Sequence, residues 1–319
     1  MPRCVADLLD HQLVFVTGKG GVGKTTIAAA LAWLAAERGK KTLVCDVDAR
    51  GDLADLYEVG PLGFAERQVA PRLWAMSMDT EASLKQYLSL QLKLPLITRI
   101  GPVARMFDFV ASAAPGVREI VTVGKFCWEV KEGHYDLVIV DAPSSGHVVG
   151  QLAAPQAINE LVKVGLVRQQ TGWMLDILGD HDRTGVVIVA TPAEMPVSET
   201  VELMARLDDE TNVALSAVVV NRVLPELFGR REEEVFARLE DPASRRGIES
   251  EVGGSLESIV DAARLTVTMR RSRTGHLEDL RSAVRPEIAM LYMPYLFSRG
   301  SGLRTTRHVA EALAAEMGY

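Results

Sequence analysis

The chain has 319 residues, a formal net charge of −7 and a sequence pI near 5.5, and 48% of its residues are hydrophobic. This composition supports a substantial core, whereas the acidic balance argues against a general nucleic-acid surface, which needs clustered Lys and Arg. The cysteines Cys4, Cys45 and Cys127 form no CxxC pair and no signal peptide or apolar run of about 18 residues occurs, so we expect a cytoplasmic protein without zinc knuckle, disulfides or membrane span.

The stretch from Val14 to Thr26 reads as a strand, a glycine-rich turn and the start of a helix. Glycines let backbone N–H groups converge on phosphate oxygens, and the helix adds its positive dipole end. Lys24 is expected to reach the β- and γ-phosphates and Thr25 to bind Mg²⁺, while Thr26 closes the stretch and caps or packs. The full G-x-x-x-x-G-K-[ST] pattern is Gly18, Lys19, Gly20, Gly21, Val22, Gly23, Lys24 and Thr25.

Lys19 is a second lysine inside this loop, at a position where the pattern requires no charge. A lysine on the outer lip could point away from its own nucleotide and toward that of a neighbouring subunit. The alternative is a merely solvated side chain. Both interpretations remain open from the residues alone.

A helix is predicted from Lys24 to Arg38 and a short buried strand from Lys41 to Asp46, which makes a right-handed β-α-β unit with a parallel sheet. Ligands bind at the carboxyl ends of such strands. We therefore expect Asp48 to position the attacking water and Asp46 to orient the water shell of the metal. The alternative is an ordinary acidic surface loop.

A strand from Leu73 to Met78 and a helix from Thr80 to Leu92 precede an apolar segment with prolines at 102 and 115. Helices hinged at these prolines would cover the nucleotide face. They could serve as a lid, as a client surface or as plain core cover. The sequence leaves these three possibilities open.

The clearest strand runs from Tyr135 to Asp141 and ends as a Walker B pattern, with the Asp141 carboxylate placed to hold Mg²⁺ through water. Gly146 follows in a loop, where its backbone N–H can approach a γ-phosphate. Such a contact exists only before hydrolysis, so residues 142–155 are predicted to form a switch.

Asn221 ends another predicted strand, and its amide can pair with the donor and acceptor edge of adenine. Because no repeat, second phosphate loop or linker divides the chain, we predict one domain, 1–319, with a helical subregion over roughly 80–132. The fold class is α/β, a P-loop NTPase with a mostly parallel twisted sheet flanked by helices. The other predicted elements are helices at 155–178, 197–207, 226–264 and 303–317 and strands at 186–190, 214–220 and 288–292.

With these motifs, the chain resembles the ArsA/Get-type ATPases, which comprise the arsenical-pump ATPase and the targeting factor for tail-anchored membrane proteins. GKGGVGKTT matches the loop of that family, although partition ATPases of the MinD/ParA type share it. Asp141 to His147, D-A-P-S-S-G-H, is similar to D-T-A-P-T-G-H without a gap. In the deviant P-loop ATPases the lysine equivalent to Lys19 contacts the phosphates of the partner subunit, which implies a dimer.

The resemblance also implies further roles. Asp48 takes the place of the water-activating aspartate, Asn221 matches the adenine-reading asparagine, and Pro294 resembles the proline turn that flanks adenine. Ala49, Arg50 and Gly51 depart from the switch I pattern, so hydrolysis is expected to be slow or to depend on a partner. The zinc-holding CxxC pair of the targeting factors is missing, and three scattered cysteines do not reproduce a metalloid site.

These residues support a first hypothesis, a dimeric ATPase that uses ATP and Mg²⁺, lies in the cytoplasm or peripheral to the membrane, and couples nucleotide state to a client such as an anion or a membrane protein. In it Asp48, Lys19 and Lys24 act in catalysis, and Thr25, Asp141 and Asp46 hold the metal. A second hypothesis is a low-turnover binding module that forms half of a heterodimer. A third is a MinD/ParA-like positioning ATPase. No nucleic-acid partner is expected.

Overall fold

The computed structural model describes residues 5–48, 51–92, 116–162, 164, 166–226, 229–239, 241–296 and 302–319. Within these ranges the strands are β1 (Leu13–Gly18), β2 (Thr42–Asp46), β3 (Arg67–Ala70), β4 (Leu73–Ser77), β5 (Leu137–Ser144), β6 (Thr184–Ala190), β7 (Ala214–Val223) and β8 (Ala289–Pro294). They form one sheet in the order β3-β4-β2-β5-β1-β6-β7-β8. Every neighbouring pair is parallel except β3 and β4, which are antiparallel.

A short 3₁₀ helix, Val5–Asp10, precedes β1. The α-helices of the described ranges are α1 (Lys24–Glu37), α2 (Asp52–Leu56), α3 (Thr80–Leu92), α4 (Val117–Lys131), α5 (Ser145–Leu161), α6 (Leu166–Leu178), α7 (Glu194–Glu210), α8 (Arg230–Arg238), α9 (Pro242–Val252), α10 (Glu257–Ala283) and α11 (Leu303–Glu316). None of these described helices combines the length and the apolar composition needed to cross a lipid bilayer.

Side chains that alternate along β1 belong to two buried hydrophobic clusters on opposite faces of the sheet. Val14 and Val16 pack with α1 and α11 on one face, and Leu13 and Phe15 pack with α4, α5 and α6 on the other. A strand that is buried on both faces reads as a continuous apolar run, as β1 does. The predicted α/β class with helices on both sides of a mostly parallel sheet is confirmed.

The segment after Asp141 differs from the prediction. β5 continues to Ser144 and α5 begins at Ser145, so Gly146 lies in the first turn of a helix and not in a loop. The Pro-Ser-Ser-Gly composition suggested a turn, but Val148, Val149 and Leu152 bury a helical face against the sheet. Tertiary packing therefore outweighs local composition here.

Three further elements depart from the sequence prediction. The helix expected over 155–178 is two helices, because the chain is extended at Val162 after α5 ends. The charged helical region continues beyond residue 264, to Ala283 in α10. The edge strand β3 was not predicted, since its residues are exposed or only half-buried and show no apolar run. The prolines at 102 and 115 and most of the segment between α3 and α4 lie outside the described residues.

Candidate nucleotide-binding site

The phosphate loop joins β1 to α1 at the carboxyl edge of the sheet, where β1 lies between β5 and β6. Gly18 has φ +142°, and a side chain there would collide with the carbonyl oxygen of Val189. Gly23 caps α1 with φ +100°, and a side chain there would strike the amide of Asn221. Only glycine satisfies both the backbone angles and the close approach at these two positions.

A cavity of about 460 Å³ opens in front of this loop. Gly18 and Val22 are buried and Lys19 is half-buried, and these three residues do not line the cavity. The structure thus brings the predicted phosphate-binding and acidic residues around one space. The lining residues predicted from sequence are Gly20, Gly21, Gly23, Lys24, Thr25, Thr26, Asp46, Asp48 and Asp141, and Asp52, Asp55, Ser144 and Arg222 join them.

The floor of the cavity carries the hydroxyl and carboxylates predicted to hold a metal. Thr25 Oγ1 donates a 2.6 Å hydrogen bond to Asp141 Oδ2, and Asp46 is the cross-strand neighbour of Asp141 in the β2–β5 pair. The second oxygen of Asp141, Oδ1, is buried and has no hydrogen-bond partner in the described structure. An oxygen-only donor set with an unpaired buried carboxylate oxygen fits a hard divalent cation such as Mg²⁺.

Burial raises the pKa of Asp141 to about 7. The negative charges of Asp46 and Asp48 act in the same direction, while the Thr25 hydrogen bond and the Lys24 charge lower the pKa. Several carboxylates share a partly dry space, so each disfavours the ionised form of its neighbour. A bound cation would remove this repulsion and return Asp141 to its ionised form.

Asp48 is exposed and lines the same cavity, four residues before α2. The backbone N–H of Val47 donates to the carbonyl oxygen of Asp141 over 3.2 Å, which ties the start of the acidic loop to the Walker B strand. Residues 49 and 50, where the sequence departs from the switch I pattern, lie outside the described residues.

Lys19 forms an ion pair with Glu199 of α7 within its own chain. The other carboxylate oxygen, Glu199 Oε2, accepts a 3.1 Å hydrogen bond from Ser145 at the start of α5. The hydrogen bond from Lys19 holds the pKa of Glu199 below its usual value. Glu199 therefore links the phosphate loop to the predicted switch, a role that the sequence did not reveal because about 180 residues separate Glu199 from Lys19.

A second cavity of about 430 Å³, which we call the adenine cavity after the role predicted for Asn221, shares lining residues with the first. Asn221 and Pro294 both line it, together with Tyr295 and Arg222. The Asn221 side chain donates to the carbonyl oxygen of Val22 over 2.8 Å and accepts from the backbone N–H of Arg222 over 2.8 Å. Each amide atom keeps one further hydrogen-bonding position available for a base.

Gly146 is a further predicted binding residue that does not line the cavity. It is exposed in the first turn of α5, and Ser144 lines the cavity in its place. The prediction assumed a loop whose N–H groups face the phosphates. Because the helix begins at Ser145, this N–H belongs to a helical first turn.

The family model for anion-transporting ATPases matches residues 11–175 and 166–245. The chain belongs to this family. The strands β1 to β7, with the phosphate loop and the Walker B strand, lie inside the matched range, and the predicted resemblance to the ArsA/Get-type ATPases is confirmed.

Several curated members of the anion-transporting ATPase family are similar to this chain. ATPase BagA of Mycobacterium tuberculosis is 34% identical over 229 residues, which cover 67% of this chain and 66% of that protein. A putative arsenical pump-driving ATPase of Halobacterium salinarum is 27% identical over 289 residues, 85% of this chain and 44% of the relative. ATPase GET3 of Podospora anserina is 29% identical over 177 residues, 54% of this chain and 52% of the relative. The chain thus spans slightly under two thirds of the mycobacterial protein and about half of the other two.

Proposed function

We propose that this chain binds ATP with Mg²⁺ and hydrolyses it as a dimer, and that the nucleotide state controls a client or membrane partner. The observation that carries the proposal is the hydrogen bond between Thr25 and Asp141 at the floor of the phosphate loop, with a buried Asp141 oxygen left unpaired beside it. A hydroxyl and a carboxylate so arranged suit a cation that accompanies a triphosphate.

We assign each residue of the site a role according to its position. The loop amides and Lys24 bind the phosphate oxygens, and Thr25, Asp141 and Asp46 hold the cation. When bound, Mg²⁺ supplies positive charge that offsets the charge of the phosphates and of the acidic cavity. Asp48, exposed at the mouth of the cavity, orients the attacking water. Catalysis in this scheme comes from positioning and charge stabilisation.

Dimerisation is proposed because Lys19 belongs to the phosphate loop but does not line the cavity in front of it, and its side chain is 28% exposed. In the single chain its ammonium is held by Glu199, so reaching the nucleotide of a partner requires that this ion pair opens. We propose that the chain acts as one ATPase domain, since strands drawn from residues 13–294 share one sheet. The proposed client is an anion, as the description of the matched family suggests, or a membrane protein, as the resemblance to the ArsA/Get-type ATPases implies.

A second candidate is a low-turnover binding module that works with a related subunit. The departure of residues 49–51 from the switch I pattern favours it, as does the engagement of Lys19 within its own chain. The positioning-ATPase hypothesis predicts a membrane-binding terminal helix or a basic DNA face. In α11, Val309, Ala310 and Leu313 are buried in the same cluster as the alanines of α1, which argues against a membrane-binding role for this helix.

One experiment separates the two candidates. Phosphate release and molar mass are measured for the purified chain and for Lys24→Ala, with ATP and either Mg²⁺ or EDTA. The ATPase proposal predicts a dimer that turns over only with Mg²⁺, and loss of turnover in Lys24→Ala. Tight ATP binding by a chain that stays monomeric and releases no phosphate would instead favour the binding module.

A further inference from the structure

Arg222 occupies an unusual backbone position at the end of β7. Its φ is +59°, in the left-handed region that costs an ordinary side chain on the order of 1 kcal/mol or more. The β7–β8 register shifts between Val220 and Val223, so Asn221 and Arg222 form an irregular step in the strand. Strained residues and strand irregularities are concentrated at binding sites, and they persist only where the surrounding structure holds them in place.

The backbone around Arg222 is fixed by three contacts. Its N–H donates to Asn221 Oδ1 over 2.8 Å, and Asn221 in turn donates to Val22 of the phosphate loop. One residue later, the carbonyl oxygen of Val223 accepts from Tyr295 over 2.8 Å. The strained step is therefore attached to the phosphate loop on one side and to the turn after β8 on the other.

Arg222 lies where the two cavities meet. Gly23, Thr26 and Arg222 line both the phosphate cavity and the adenine cavity. A nucleotide that extends from the phosphate loop to Asn221 must pass this boundary with its ribose and α-phosphate. Of the described residues that line the adenine cavity, Arg222 is the one that carries a positive charge.

Acidic side chains predominate among the charged residues of the phosphate cavity, so a positively charged side chain at this boundary matters for binding a nucleotide. Five aspartates line that cavity, and the positively charged lining residues are Lys24 and Arg222. Lys24 and a bound cation serve the β- and γ-phosphates. The loop amides give the α-phosphate uncharged donors, and an arginine guanidinium at the boundary would add several charged ones.

We propose that Arg222 binds the α-phosphate of the nucleotide through its guanidinium group and that the left-handed backbone at this residue directs the side chain to the boundary of the two cavities. The inference rests on the proposed nucleotide site. It assigns Arg222 to binding and not to the chemical step, because the α-phosphate is the same before and after hydrolysis. The binding affinities for ATP and for ADP should therefore depend on Arg222 to the same extent.

The test compares Arg222→Asn and Arg222→Lys with the wild type. Asparagine tolerates a left-handed backbone and lacks the charge, so Arg222→Asn removes the guanidinium without adding strain. Arg72→Asn is a matched control: Arg72 has φ +61°, is exposed, and lies at the amino edge of the sheet before β4, next to Asp136. Arg72→Asn removes the same guanidinium group from a residue with the same left-handed backbone, but at a position that lines neither cavity.

Affinities for ATP and ADP are measured by calorimetry. Binding of adenosine is measured as a thermal shift at millimolar concentration. We expect Arg222→Asn to weaken ATP and ADP binding by about tenfold each and to leave the adenosine shift intact, as one charge-assisted hydrogen-bonding group is lost. Arg222→Lys should keep part of the affinity and Arg72→Asn all of it.

Three results would overturn the proposal. An unchanged affinity of Arg222→Asn for ATP and ADP, with the wild type binding both, rejects the role of Arg222 and leaves the proposed function standing. An equal loss for adenosine would show a contact with the base or ribose instead. If the wild type itself binds neither nucleotide, the proposed function fails and this inference fails with it.

Discussion

The ammonium of Lys19 is bound by the carboxylate of Glu199, and the second oxygen of that carboxylate is bound by Ser145. One side chain of α7 thereby connects the phosphate loop to the first turn of α5. Any movement that carries Lys19 toward a partner subunit has to break this ion pair, whereas Glu199 can keep its separate hydrogen bond from Ser145.

Replacing Glu199 by Gln is expected to favour the ATP-bound dimer. The ion pair is partly exposed, and exposed pairs contribute up to about 1 kcal/mol, so the dimer dissociation constant should fall by at most about fivefold. Sedimentation equilibrium with ATP measures this constant. Glu202→Gln, on the exposed side of the same helix, is the control.

A double-mutant cycle shows whether Glu199 acts through Lys19. In a Lys19→Ala background the Glu199→Gln change should no longer alter the dissociation constant. An equal effect in both backgrounds would mean that Glu199 acts through Ser145 or through α7 itself.

Replacing Asp48 by Asn is expected to reduce steady-state ATP turnover by at least about a hundredfold, because an amide cannot accept a proton from the attacking water or orient it as a carboxylate does. ATP affinity should change little, since Asp48 is exposed at the mouth of the cavity. Phosphate release and calorimetric binding are measured together. Asp209→Asn, exposed in the last turn of α7, controls for the loss of one charge. Wild-type turnover in Asp48→Asn would remove this residue from the reaction.

The buried carboxylate Asp141 should give the nucleotide-free protein a specific pH dependence. The pKa of Asp141 is about 7 in the folded chain and 3.8 without the protein environment. The folded state therefore holds more protons between these values, and the free energy of unfolding falls as pH rises through this window. Each unit of pKa shift corresponds to about 1.4 kcal/mol.

Urea denaturation of the wild type and of Asp141→Asn in EDTA, from pH 5 to pH 8, measures this contribution. The stability of the wild type relative to the variant should decline as pH increases. Added Mg²⁺ should reduce the decline, because the cation favours the ionised carboxylate. Parallel curves in EDTA would show that Asp141 keeps an ordinary pKa in the folded chain.

Lys125 forms a buried ionic cluster on α4. Its ammonium lies 2.6 Å from Glu129 Oε1 and 3.1 Å from Glu66 Oε1, and its side chain is 4% exposed. Burial alone would lower the pKa of Lys125, but Glu129 and Glu66 hold it above the usual value. Lys125→Met leaves two carboxylates without their cation and should reduce the free energy of unfolding by about 3 kcal/mol. Lys85→Met, in an exposed pair with Glu81, should cost less than about 1 kcal/mol in the same denaturation experiment.

The sequence predicted the centre of the molecule well. β1, β2 and the part of β5 up to Asp141 are largely apolar runs that end in glycine or aspartate, and such strands are expected in the interior of a parallel sheet. The glycine spacing of the phosphate loop follows from backbone angles and close contacts, so Gly18 and Gly23 could be recognised without a structure.

What the sequence did not predict depends on contacts between distant segments. Glu199 reaches Lys19, and Arg222 reaches the boundary of the two cavities, only because β6 and β7 follow β1 in the sheet. Gly146 was assigned to a loop because its neighbours favour turns, whereas the packing of Val148 and Leu152 extends the helix to Ser145. Local pattern does not contain this information.

The most direct test is calorimetric titration of the wild type and of Thr25→Ala with ATP, once with Mg²⁺ and once with EDTA. The proposed site predicts that Mg²⁺ strengthens ATP binding to the wild type and that Thr25→Ala loses most of this strengthening, because the Thr25 hydroxyl and Asp141 hold the cation. ATP binding that is equally strong with Mg²⁺ and with EDTA, or no ATP binding at all, would contradict it.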